Sequence, residues 1–222
     1  WAAHTVMESI STVLAFLIGG LSLVRYYSRK QATFLLIGCG FLGAALLDLN
    51  HVITTLPPMI EAREIADARV QAVGLYAWTW TAERVFLSLF LFVSLLAWHQ
   101  EVRGREESIS EFSVYSTALF LTISNLLFFE FTSVQSPTSL TAFVSRPSEF
   151  VPATFFALSF IGFYRKGSWR RDQFDHWMLV SLLISCLLHG AFMAFSAQRF
   201  DAMFDAAHLL KIASYIAILT GL

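Results

Sequence analysis

The sequence predicts an all-α fold, a bundle of seven transmembrane helices with the N-terminus outside and the C-terminus in the cytoplasm. Three observations predict it. Of 222 residues, 56% are hydrophobic and only 14% charged, where a soluble domain carries roughly 25% charged residues. Apolar segments near the length needed to cross hydrocarbon, about 20 residues at about 1.5 Å rise each, recur along the whole chain. Lys and Arg crowd into alternate connections between those segments. The net charge of −1 gives no support to nucleic-acid binding.

The first span, His4–Tyr26, places His4 and Glu8 four apart on one helix face. The second, Thr33–Thr55, is Leu, Ile, Phe, Gly and Ala interrupted by Asp48 and His51. Gly38, Gly40 and Gly43 on this span allow close helix packing. The third, Tyr76–His99, opens on Tyr76, Trp78 and Trp80 and continues to Glu83 and Arg84. Trp80 and Arg84 have the spacing of a cation–π pair, whereas Tyr76 and Trp78 suit an interfacial aromatic belt. The fourth is Phe112–Phe131, with Glu130 at its end. The fifth, Glu149–Tyr164, is short and holds Pro152 near its start. The sixth, Asp175–Ser196, sets Cys186, His189 and Met193 on one face. The seventh, Ala202–Leu222, repeats Asp205, His208 and Lys211 every three residues, with Tyr215 one turn further on.

The first, third and fifth connections hold Arg25, Arg29, Lys30, Arg103, Arg105, Arg165, Lys166, Arg170 and Arg171. The others hold only Arg63, Arg69, Arg146 and Arg199. The positive-inside bias therefore puts the first set in the cytoplasm and makes this a multi-pass membrane protein. Residues 56–75 have the apolar spacing of a short amphipathic helix on the outer surface, and residues 132–148 read as an irregular Ser/Thr/Pro-rich loop. Cys39 and Cys186 fall inside spans and read as free thiols. Residues 1–222 form one membrane domain, and a cytoplasmic output module is expected beyond Leu222.

Given that orientation, the ionisable residues share a depth. Glu8, Asp48, His51, Glu83, Arg84, His189, His208 and Lys211 all fall in the outer half of their spans, and the inner half is nearly free of them. Ionisable groups within a membrane are costly and mark function or a tight structural network. Arg84 cannot shed its proton and needs a carboxylate, for which Glu8, Asp48, Glu83 and Asp205 are available. The surplus of acids over fixed bases suits a bound cation, a metal or protonated carboxyls. A binding chamber is therefore expected from Glu8, Asp48, His51, Trp80, Glu83, Arg84, His189, His208, Lys211 and Tyr215. His51, His189 and His208 are candidate ligands for a transition metal, or in pairs for haem. No nucleotide loop, nucleophile elbow or HExxH motif marks this segment as an enzyme.

The segments HTVMES, FLLIGCGFLGAALLDLNHVITT, WTWTAERVFLSLFL and DAAHLLKIASYIAI resemble the third class of bacterial membrane-associated sensor (MASE) domains. The likeness rests on Asp48 and His51, on Trp80, Ala82 and Arg84, and on His208, Lys211 and Tyr215. It is carried by the two ends of the chain, while residues 101–174 match in hydropathy alone. The resemblance implies a sensory input domain of a bacterial inner membrane, followed in the same polypeptide by a GGDEF diguanylate cyclase or histidine kinase module and acting as a homodimer through that module. The stretch Thr54-Thr55-Leu56-Pro57-Pro58 departs from the aromatic, Lys, Gly stretch that often follows the family's histidine, so a different outer lid and ligand are expected. A looser likeness to the ethylene-receptor membrane domain fails at its copper-binding Cys, whose place Leu47 occupies. Three functions follow as expectations: a sensor of a small ligand or cofactor, a haem or metal redox sensor, and an ion-coupled transporter.

Overall fold

A computed structural model of the chain describes residues 2–56, 72–102, 110–131, 144–198 and 201–222, the side chains of residues 2, 72–79 and 129–131 apart. The described residues form seven long helices and no strand. These are α1 (Ala2–Arg29), α2 (Ala32–Thr54), α3 (Ala72–Val102), α4 (Glu111–Phe131), α5 (Phe150–Lys166), α6 (Gln173–Leu187) and α7 (Ala202–Gly221). The expected surface helix and most of the expected Ser/Thr/Pro loop, residues 57–71 and 132–143, lie outside the described residues, as does the side chain of Glu130.

Six of the seven helical segments have the length and hydropathy of a membrane span. The seventh, α5, has 17 residues, at the lower limit for crossing hydrocarbon. Its Pro152 lies in the first turn, where a missing N–H breaks no helical bond. The expected sixth span is not one uninterrupted α-helix. After Leu187 it widens into a π-turn, Leu188–Phe192, and tightens into a 3-10 turn, Met193–Phe195. The N–H groups of Ser145 and Arg146 donate to the Ala194 carbonyl and tie off this end.

Helix packing closes a ring. α1 packs on α2, α2 on α3, α3 on α5, α5 on α6, α6 on α7, and α7 back on α1. α4 stands outside the ring against α2. Consequently α2 is the most enclosed of the spanning helices, while α4 is the least and turns Phe112, Leu119, Phe120, Leu127 and Phe128 outward. An apolar exterior of this kind is what lipid requires.

Glycines set the spacing around α2. A methyl group built on Gly40 would stand 2.6 Å from Cβ of Phe90 on α3, and one on Gly19 2.7 Å from Leu42. The glycines of the second span thus serve packing within one chain. α1 ends on Lys30 in the left-handed conformation (φ 54°), with its N–H bonded to the Tyr26 carbonyl. Its ammonium is fixed 2.9 Å from Glu111 of α4. That short turn makes α1 and α2 antiparallel neighbours.

The middle of the bundle is apolar, with Ile18, Leu35, Ile37, Phe41, Leu87, Leu91 and Leu182 fully or almost fully buried. Ionisable side chains gather at its two ends. At the basic end, Lys166 pairs with Asp175 at 2.8 Å, Ser168 donates to Asp175, and Arg25 donates to the Gly221 carbonyl at 3.3 Å. At the opposite end Asp201 caps α7, accepting from the Phe204 N–H at 2.7 Å and the Gln198 N–H at 3.1 Å. Partial burial alone would raise the Asp201 carboxyl, but these hydrogen bonds prevail and hold it below its ordinary range.

Gly40→Ala should lower the thermal unfolding temperature in detergent, because the added methyl must push α2 and α3 apart at a cost of roughly 1–3 kcal/mol. Gly20→Ala, where a methyl meets nothing within 4 Å, should leave it unchanged or raise it.

Candidate functional site

Four helices deliver charged side chains to one buried point. Lys211 of α7 is fully enclosed, and its ammonium needs acceptors there. It donates to Glu8 Oε2 of α1 at 2.8 Å and to both oxygens of Asp48 of α2, at 2.7 and 2.6 Å. Glu83 Oε2 of α3 stands 3.9 Å away. Glu83 in turn holds its neighbour Arg84 through Nε at 2.7 Å and accepts from the Tyr215 hydroxyl at 3.2 Å. The Arg84 guanidinium lies 4.1 Å from the centroid of Trp80, the cation–π pair expected from the spacing.

A layer of rings covers this network toward the N-terminal end of α1. His208 sits one turn before Lys211, with Trp80 and Phe204 at ring distances of 4.4 and 4.2 Å. His4 lies 4.8 Å from His208 and 5.9 Å from His51, which itself lies 6.1 Å from Trp80. His208 Nδ1 is 2.7 Å from the Phe204 carbonyl, which can only accept. The Nδ1 proton is thereby assigned. Its Nε2 is 3.0 Å from Glu8 Oε1.

A second node lies beside the first. His189, carried inward on the π-turn after α6, places Nδ1 2.7 Å from Glu149 Oε2 and stacks on Phe156. Thr81 of α3 donates to the other Glu149 oxygen at 3.2 Å. Interruptions of this type recur at functional sites in helical proteins.

Nine of the ten expected chamber residues therefore meet: Glu8, Asp48, His51, Trp80, Glu83, Arg84, His208, Lys211 and Tyr215. His189 belongs to the neighbouring node. The expected metal set of His51, His189 and His208 is not assembled, because His189 is turned to Glu149. The donors that do approach within 4.8 Å of one another are those of His4, Glu8 and His208. The Met193 sulfur, placed with Cys186 and His189 by the sequence, accepts from Arg146 at 3.3 Å instead. Asp205 is exposed and outside the network. A porphyrin ligated by His208 would need the volume that Trp80 and Phe204 fill. His4, Thr81, Glu149 and Phe204 were not among the expected chamber residues. The i,i+4 relations of His4 to Glu8 and of Phe204 to His208 were available signals, whereas nothing local pointed from Glu149 to His189.

A family model, MASE3, described as a membrane-associated sensor domain, matches residues 1–222. The chain belongs to this family. No curated protein and no solved structure matches it significantly. This MASE3 domain is accordingly a helical, membrane-associated sensor domain. Its buried charge network joins the two ends of the sequence, α1 and α2 with α7.

Lys211→Met leaves Glu8 and Asp48 buried without their shared cation. Losing one partner of such a network costs about 3–5 kcal/mol. Chemical denaturation in detergent should show a destabilisation of that order, partly recovered when Asp48→Asn is added.

Proposed function

We propose that this MASE3 domain is a sensory input module whose stimulus acts on the Lys211 chamber. α7 transmits the result to a cytoplasmic diguanylate cyclase or histidine kinase module beyond residue 222. The carrying observation is the convergence of Glu8, Asp48, Glu83, Arg84 and Lys211, all almost wholly buried, at one end of the bundle. The basic bias of the opposite end supports an inner-membrane orientation with the chamber toward the outside and the C-terminus in the cytoplasm. Homodimer formation through the output module completes this reading.

Two features support α7 as the transmitting element. It carries His208, Lys211 and Tyr215 along one side, and its far end is held to α1 and α6 through Arg25 and Gln173. A stimulus moves such an element only by binding one arrangement of the chamber better than another. Ion-coupled transport is less well supported. Between the two polar ends, the described buried polar side chains are hydroxyls such as Ser22, Ser88, Ser94 and Ser181, and no chain of ionisable groups crosses that layer.

The test uses the full-length protein in membrane vesicles, with cyclic dinucleotide synthesis or autophosphorylation as the output. His51→Ala and Tyr215→Phe should insert and fold, yet shift the output rate by roughly 5–150-fold, the span of ordinary allosteric coupling. Unaltered output in both variants would contradict the sensory assignment.

A further inference from the structure

The contact between His208 and Glu8 is close but poorly aligned for a hydrogen bond. Nε2 and Oε1 are 3.0 Å apart, yet both are buried without a hydrogen-bond partner, so an N–H on that nitrogen would not be aimed at that oxygen. The opposite ring nitrogen already gives its proton to the Phe204 carbonyl. In a neutral ring with its proton on Nδ1, Nε2 and Oε1 present lone pairs side by side, the arrangement of neighbouring ligands about a shared cation. With bonds of about 2.0–2.1 Å, tetrahedral ligands stand about 3.3 Å apart. A ring nitrogen of His4 completes a set of three donor atoms within 4.8 Å of one another, all on buried residues.

The outer partners fit the same purpose. Metal-bound histidines donate their other N–H to a carbonyl or carboxylate, which fixes tautomer and ring orientation. His208 does so to Phe204. The second oxygen of Glu8 accepts from Lys211, which orients the carboxylate and leaves Oε1 available. Charge balance agrees. Counting the histidines as neutral, the carboxylates Glu8, Asp48, Glu83 and Glu149 outnumber the buried cations Arg84 and Lys211 among the described residues, with Arg146 at the edge beside Phe204. An added cation fits that surplus of acids.

We infer that His4, Glu8 and His208 form a binding site for a divalent first-row transition ion, through two imidazole nitrogens and one carboxylate oxygen. This rests on the sensory reading and deepens it by naming what the chamber holds. A nitrogen-rich donor set of this kind selects zinc, copper, nickel, cobalt or iron over calcium and magnesium, which prefer oxygen cages. Three protein donors leave room in the coordination sphere for water or a small exogenous ligand.

The experiment uses the full chain purified in detergent, stripped with chelator and titrated with Co2+ and Zn2+. Co2+ should give visible d–d bands saturating at one ion per chain, Zn2+ should displace it, and Ca2+ and Mg2+ should not. His4→Ala, Glu8→Gln and His208→Ala should each weaken binding by more than about 100-fold, beyond the 10–100-fold that loss of an outer-shell partner brings. Asp205→Asn, on the exposed side of α7, should bind as the unaltered chain does. X-ray absorption at the zinc edge of the unaltered, loaded chain should show imidazole scattering, a measurement independent of how the variants fold. No stoichiometric uptake, absence of imidazole scattering, or binding unaffected by all three substitutions would overturn the site. A chain that takes up no ion while His51→Ala still shifts output loses this site and keeps the sensory reading. One that takes up the ion while output ignores every chamber variant keeps the site and loses the sensory reading.

Discussion

The structure turns on a single constraint: an ammonium group in the dry interior of a helical bundle must be surrounded by acceptors. Lys211 is fully buried, so its position dictates that carboxylates from α1 and α2 arrive within hydrogen-bond reach. Those carboxylates are as costly to bury as the lysine, and each is tolerable only while the others are in place. The consequence is mutual dependence among helices that are distant in sequence. α7 is separated from α1 by most of the chain, and their contact closes the ring. A network of this kind adds little net stability compared with apolar packing. What it confers is one preferred arrangement of four helices, and a sharp penalty for every other arrangement that leaves a charge unmatched.

Depth along each helix was legible in the sequence because about 1.5 Å per residue converts position directly into height. Glu8, Asp48, Glu83, Arg84, His208 and Lys211 could therefore be assigned to one level before any packing was known. The Trp80–Arg84 stack followed from i,i+4 spacing alone. Direction around the bundle was not legible, since it depends on which helices are neighbours and how each is rotated. His189 was placed correctly in height but not in company. The π-turn at Leu188–Phe192 resets the rotation of everything after Leu187, and no hydropathy pattern marks an added residue in a helical turn. For the same reason His4, seen only as a partner of Glu8, was not matched with His208 across the α1–α7 contact.

The apolar middle has its own logic. α2 is enclosed by α1, α3 and α4 and owes this to small residues that bring backbones close. The glycines sit on the basic-end side of Asp48, so the helix that carries this buried carboxylate is also packed tightly beneath it. Rigid packing under a charged node limits how far that node can relax.

α3 connects the two nodes through nearly consecutive residues. Thr81 reaches Glu149 and, through it, His189; Glu83 reaches Tyr215; Arg84 rests on Trp80. Successive residues on a helix point about 100° apart, so this short stretch meets Glu149, ahead of α5, and Tyr215 of α7 from different sides. A small rotation of α3 cannot improve the contact of Thr81 with Glu149 without moving Glu83 relative to Tyr215 and Lys211. The nodes are thus mechanically linked by helix geometry, with no direct bond needed between them. Polar contacts on two sides of one helix are coupled in this way, so a displacement at either node is felt at the other.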